Sequence, residues 1–149
     1  MKIVILCIGN RDGGDDGVAP YISDLLKKNI LTDIDVIDAG IVPENYTGVI
    51  KKKKPDILYL IDAVEMNLSP GEIRYVPKNR IGVMHVSTHG IPLSVIINYL
   101  SEYINQIKLI GIQPKTMQGE LTEPVKKSAG FLIDIILNNQ FSKILDLED

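Results

Sequence analysis

Four short aliphatic runs limit how this 149-residue chain can fold: Ile3–Ile8, Ile34–Ile37, Ile57–Ile61 and Ile107–Ile112. They are dominated by Ile, Val and Leu, and predict strands buried on both faces, as in a parallel sheet. Helical patterns lie between them. Val18–Leu26 places Val18, Ile22, Leu25 and Leu26 on one side and runs into Lys27-Lys28-Asn29, which suits a helix C-terminus. Pro43–Ile50 is a shorter helix, and Leu93–Ile104 and Thr122–Leu137 are stronger ones. The last opens with Thr122 as cap, Glu123 in the acidic first turn and Pro124 as early proline. Glu72–Val76 alternates like a strand after the turn Ser69-Pro70-Gly71. It follows Ile57–Ile61 too closely for a crossover helix, so it is expected to run antiparallel. The polar, acidic tail from Asn138 is expected to fray. The alternation predicts a single domain over 1–149 of the α/β class. Its architecture is a three-layer α/β/α sandwich around a twisted, mostly parallel sheet of about five strands, one of them antiparallel.

Composition narrows the function classes. The chain is 45% hydrophobic and 23% charged, ordinary values for a globular domain. A net charge of −3 argues against nucleic acid or an anionic membrane as partner. The basic run Lys51–Lys54 reads as the solvated end of a helix before Pro55. Cys7 is the sole cysteine, which fits a reducing compartment, and within its apolar run it reads as a small buried hydrophobe. Met1-Lys2 leads straight into that run, which is too short for the apolar region of a signal peptide with its cleavage site. No apolar stretch reaches the roughly 20 residues of a bilayer span. The expectation is a soluble cytoplasmic protein.

In open α/β sheets, ligands bind outside the carboxyl ends of the strands. The first strand breaks there into Gly9-Asn10-Arg11-Asp12-Gly13-Gly14-Asp15-Asp16-Gly17. A Gly-rich strand-to-helix turn normally cradles phosphate, but this one carries Asp12, Asp15 and Asp16 and lacks the Lys and Ser/Thr of a P-loop. It reads as a site for a metal or an electrophile. Asp16 follows the first strand, Asp38 ends the second and Asp62 ends the third. Each has a structural alternative: Asp15 or Asp16 as the cap of the next helix, Asp38 and Asp62 as anchors of Asx turns. Together at one edge they point to a cation, because carboxylates there must be paired, hydrogen-bonded or metal-bound. His85 and His89 lack the intervening Glu of a zincin, and the Ser-Thr-His-Gly-Ile-Pro segment suits a loop. His89 with Asp16 and Asp62 makes a two-carboxylate, one-imidazole set with open positions, suited to Zn²⁺ or Ni²⁺. His85 reads as a packing or surface residue. Ser87 and Thr88 have no nucleophile elbow around them.

These residues resemble the hydrogenase maturation endopeptidases over nearly the whole chain. The resemblance runs from Gly9–Ala19 through Asp38-Ala39-Gly40, Pro43-Glu44-Asn45 and Ile61-Asp62-Ala63. It continues through Ser69–Arg74, Ser87–Leu93 and Gly111-Ile112-Gln113-Pro114, the last two looking closest to the branch serving membrane-bound, hydrogen-evolving hydrogenases. It implies an aspartic-type endopeptidase that removes the C-terminal extension of a nickel–iron hydrogenase large-subunit precursor after nickel insertion. It further implies that Asp16, Asp62 and His89 hold nickel belonging to the substrate, and that Asp38 is a further acidic position tied to activity. Asp16, Asp38 and Asp62 are then the candidates for activating the attacking water. The implied fold has one antiparallel strand in five, and the implied state is a monomer. Ala19 and Ala39 stand where the family often has Gly. Competing readings are a nickel-dependent sensor that binds the precursor without cutting it, a peptidyl-tRNA hydrolase lacking its basic face, and a nucleoside phosphorylase lacking its basic phosphate site.

Overall fold

A computed structural model describes residues 1–82 and 90–148. Strands β1 (Ile3–Ile8), β2 (Ile34–Gly40), β3 (Ile57–Ala63), β4 (Ile73–Val76), β5 (Gln106–Ile112) and β6 (Leu145–Asp146) form one sheet in the order β2-β1-β3-β5-β4-β6. β1 pairs parallel with β2 and β3, and β3 with β5. β4 runs antiparallel to β5, with Ile73 opposite Ile112, as the short β3–β4 connection requires. The helices are α1 (Val18–Leu26), α2 (Thr47–Lys53), the single turn α3 (Lys78–Ile81), α4 (Leu93–Leu100) and α5 (Glu123–Leu137).

The pleat sorts each strand's side chains into two cores. Ile5, Cys7, Ile61 and Ala63 pack with Ile22 and Leu26 of α1 and Leu132 of α5. Val4, Leu6, Leu58 and Leu60 pack with Ile50 of α2, Ile81 of α3 and Ile97 and Leu100 of α4. Helices on both faces explain why the central strands read as unbroken aliphatic runs. Cys7 is fully buried, and burial pushes its thiol pKa far up, so it is an inert core residue.

Two expectations need correction. The tail from Asn138 does not fray. Phe141, Ile144 and Leu147 are buried, the Phe141 ring stacks on Tyr59 with centroids 4.1 Å apart, and the Tyr75 hydroxyl donates to the Phe141 carbonyl at 2.7 Å. The tail then adds β6 parallel to β4, which completes a six-stranded sheet where about five strands were expected. The lysine run is also more than a solvated helix end. Lys53 pairs with Asp35 at 2.9 Å, and Lys51 Nζ reaches the Tyr99 hydroxyl at 2.5 Å. Among the described residues, no helix is long and apolar enough to cross a membrane.

Candidate active site

The β1–α1 turn is built by its own backbone. The Gly13 N–H donates to the Asn10 carbonyl at 3.0 Å, and the Asp16 N–H to the Gly13 carbonyl at 3.1 Å. Asn10 Oδ1 accepts the Asp12 N–H at 2.9 Å, closing an Asx turn. Gly9 lies so close to the chain returning beneath it that an added Cβ would sit 1.9 Å from the Asp16 carbonyl oxygen. Only glycine permits that approach.

Neither Asp15 nor Asp16 caps α1; its N-cap is Gly17, with no side-chain cap bond. The two carboxylates have different duties. Asp15 is wholly buried and accepts four hydrogen bonds from the 115–122 loop: the Lys115, Thr116 and Thr122 N–H groups and the Thr122 hydroxyl, at 2.8–3.2 Å. Burial pushes its pKa up, but these donors outweigh burial and hold it below the usual carboxylate value. Thr122 therefore spends its hydroxyl on Asp15, and as N-cap of α5 makes no side-chain cap bond. Gly14 completes the clamp. Its φ is +61°, and an added Cβ would lie 2.6 Å from the Gln118 nitrogen.

Asp16 is also buried, and one of its oxygens, Oδ2, accepts the Asn10 N–H at 3.0 Å. The Gly14–Gly17 turn that carries it packs against β3, whose penultimate residue is the buried Asp62. Asp62 is paired with Gly111 across the ladder. Its neighbours Ile61 and Ala63 face the α1/α5 core, so the pleat turns Asp62 to the α2/α4 side at the carboxyl edge.

Asp38 is elsewhere. It stands level with Cys7, which faces the α1/α5 core, so Asp38 shares that face and not the face of Asp62. Its Oδ1 accepts the Gly40 N–H at 3.1 Å, the Asx turn open to it from sequence, and Oδ2 pairs with the Arg11 guanidinium. Arg11 also forks onto Asp24 of α1 at 2.7 and 3.0 Å. This ion pair, chiefly through its hydrogen bonds, holds the Asp24 pKa below the usual range. Asp38 thus braces the turn that carries Asn10.

The structure sets the turn that carries Asp16 against the strand that carries Asp62, at the predicted edge, and turns Asp38 to the face of the sheet opposite Asp62. The predicted third ligand, His89, lies with His85, Ser87 and Thr88 in the 83–89 segment, outside the described residues. Among the described residues, no three His, Cys, Asp or Glu converge as a metal cage. Two scaffold roles were not read from sequence. The clamp made by Asp15, met there as one acid of the turn and as a possible helix cap, is the first. That of Gln113, met there only within its four-residue motif, is the second: buried after β5, its Oε1 accepts the Met66 and Leu68 N–H groups at 2.7 and 3.2 Å. Its Nε2 donates to Glu65 Oε2 and the Pro114 carbonyl at 2.9 and 3.1 Å. One amide therefore sets the loop that leaves β3 just past Asp62. The available signal was its place in Gly111-Ile112-Gln113-Pro114, a polar residue directly after an apolar run.

A family model described as hydrogenase maturation protease matches residues 20–139. The chain is 36% identical over 129 residues to the hydrogenase 3 maturation protease of Escherichia coli, spanning 85% of this chain and 83% of that one. It is 34% identical over 146 residues to a putative hydrogenase maturation protease of Methanocaldococcus jannaschii, spanning 91% and 86%. The solution structure of the endopeptidase HycI from Escherichia coli superposes with a TM-score of 0.91 at 32% identity, covering 99% of this chain and 97% of that one. The crystal structure of a nickel–iron hydrogenase maturation protease HycI from Thermococcus kodakarensis gives a TM-score of 0.82 at 33% identity, covering 92% and 90%. On this evidence of sequence and shape, the chain belongs to the hydrogenase maturation proteases.

Proposed function

We propose that this protein is an endopeptidase that removes the C-terminal extension from a nickel–iron hydrogenase large-subunit precursor, acting as a monomer in the cytoplasm. Asp16 and Asp62, with His89, grip nickel already seated in that precursor. The observation that carries this reading is the pair of buried carboxylates at the carboxyl edge of β1 and β3, one on a turn and one on a strand packed beneath it. Buried acids in such a position suit a cation arriving with the substrate. The nickel belongs to the substrate and serves as the anchor that sets the scissile bond beside the carboxylates. A precursor without metal offers no anchor, so recognition and proofreading are one event.

A water then adds to the peptide carbonyl. Its proton passes to a carboxylate and on to the departing amine as the C–N bond breaks. Asp16 and Asp62 are the candidates for that proton transfer. Asp38, occupied by Arg11 and the Gly40 N–H, is assigned a positioning role.

The test mixes the protein with large-subunit precursor, nickel-loaded or nickel-free, and weighs the products. Loss of a C-terminal peptide from the loaded form alone is expected, and Asp16→Asn should abolish it without unfolding the protein. Full processing by a folded Asp16→Asn variant overturns the metal grip. Nickel-dependent binding with no change of mass would make the protein a sensor instead.

A further inference from the structure

α4 carries exposed apolar side chains as well as buried ones, beside the outward-facing Ser94 and Asn98. Leu93, Ile96, Ile97 and Leu100 are buried against the sheet, which accounts for one side. The other carries Val95 and Tyr99, 52% and 41% exposed. Tyr103, just after the helix and 57% exposed, continues this side, its ring tilted against that of Tyr99. A helix on the surface of a globular domain normally turns polar residues outward, and a second apolar stripe calls for a second cover. Because α4 connects to the parallel strand β5, its first turn lies toward the carboxyl edge of the sheet. The stripe therefore starts at the catalytic edge, on the α2/α4 side to which Asp62 turns, and runs away from it.

The stripe also holds a cation. Lys51 of α2 places Nζ 4.9 Å from the Tyr99 ring centroid and 4.6 Å from that of Tyr103, the rings lying 5.5 Å apart. Among the described residues Lys51 makes no ion pair with a carboxylate, and Lys52 and Lys54 beside it are exposed. A lysine fixed over aromatic rings has already lost much of its side-chain freedom, so a carboxylate that meets it pays less to order it.

We infer that the stripe Val95–Tyr99–Tyr103, with Lys51 across it, is the docking face for an apolar, carboxylate-bearing surface of the large-subunit precursor. This rests on the endopeptidase reading for the identity of the partner. The face lets the enzyme hold a folded substrate at a distance from the bond it cuts, so that affinity is set on α4 and chemistry at the sheet edge.

The test measures binding of the intact protein to nickel-loaded precursor for wild type, Val95→Asp, Tyr99→Ala and Lys51→Glu, with thermal melts confirming that each variant folds. Each variant is expected to weaken binding about tenfold or more. Raising the salt should weaken wild type more than Lys51→Glu. Cleavage is scored separately by mass. Binding that drops in the variants, with a precursor that wild type leaves uncut, supports the face and sinks the endopeptidase reading. Unchanged binding by all three variants, with normal cutting, overturns the face and leaves that reading intact. Absence of binding by wild type overturns the partner assigned here. A concentration-dependent dimer that Val95→Asp dissolves would give the stripe to a second copy of the chain and overturn the proposal equally.

Discussion

Asp15 and Thr122 lie 107 positions apart and meet twice, the Thr122 N–H donating to Oδ1 and its hydroxyl to Oδ2, both at 2.8 Å. The contact ties the turn that presents Asp16 to the start of α5. Site geometry is thereby coupled to the far end of the chain through a carboxylate with no chemistry of its own.

Asp15→Asn keeps the shape but removes the charge and one acceptor of the clamp. We expect a loss of about 2–3 kcal/mol, seen as a fall in melting temperature of roughly 5–10 °C. The effect has a pH signature. The folded pKa of Asp15 is depressed, so its stabilisation is present above the ordinary aspartate pKa of about 3.9 and is lost as pH falls through the lower folded value. The gap between wild type and Asp15→Asn should be constant from neutrality to about pH 4 and close below it, as read by denaturant titrations at stepped pH.

Gln113→Leu leaves the Met66 and Leu68 N–H groups facing an apolar side chain, at an expected cost of about 2–4 kcal/mol. Gln113→Glu keeps an acceptor but sets a second carboxylate against Glu65. That repulsion raises the new acid's folded pKa, so its penalty should grow as pH rises above about 4.3. Urea midpoints at pH 4 and pH 7 check the sign.

Arg11 and its partner Asp24 are half exposed, so Arg11→Ala should cost less than about 1 kcal/mol in stability. Its effect belongs in turnover. Releasing the brace between Asp38 and the Asn10 turn should lower kcat about tenfold to a hundredfold with KM little changed. Asp38→Asn should do the same, and Arg11→Lys should restore part of it. A base at Asp38 would instead make Asp38→Asn far worse than Arg11→Ala.

Phe141→Ala empties the stack on Tyr59 and should cost about 3 kcal/mol. Hydrogen exchange at the Leu147 N–H, which donates to the Tyr75 carbonyl at 2.9 Å, should accelerate before exchange in β1 or β3 does.

The strands were legible because burial on both faces leaves an aliphatic run with little else in it. β1 matches its run end to end, and β3 extends only over Asp62 and Ala63. The edge position of Asp16, Asp38 and Asp62 was legible too, since the ends of parallel strands share one side of the sheet. Their sidedness was not, because it depends on register. Asp38 faces α1 through its pairing with Cys7, and a register shift follows immediately between Cys7 and Ile8. Asp15 looked like a helix cap because nothing local reveals a partner a hundred residues away. The tail misled for a simpler reason. Phe141, Ile144 and Leu147 carry an apolar period of three, diluted by Ser142, Lys143, Asp146 and Glu148, and burial of every third residue sufficed to dock it.

A sheet open at its margins offers neighbouring molecules a row of backbone donors and acceptors, and this one guards both. At one margin, Asp35 of β2 carries Lys2 and Lys53 on its carboxylate, charges that a flat stacking partner would have to strip of water. At the other, the last few residues lie along β4, and the Tyr75 carbonyl is already occupied by Leu147. Shortening the chain before Phe141 would leave Asp16 and Asp62 untouched and expose that margin as a template for strand addition. The defect would then show as aggregation on concentration, in a protein whose dilute solutions still carried both buried carboxylates in place.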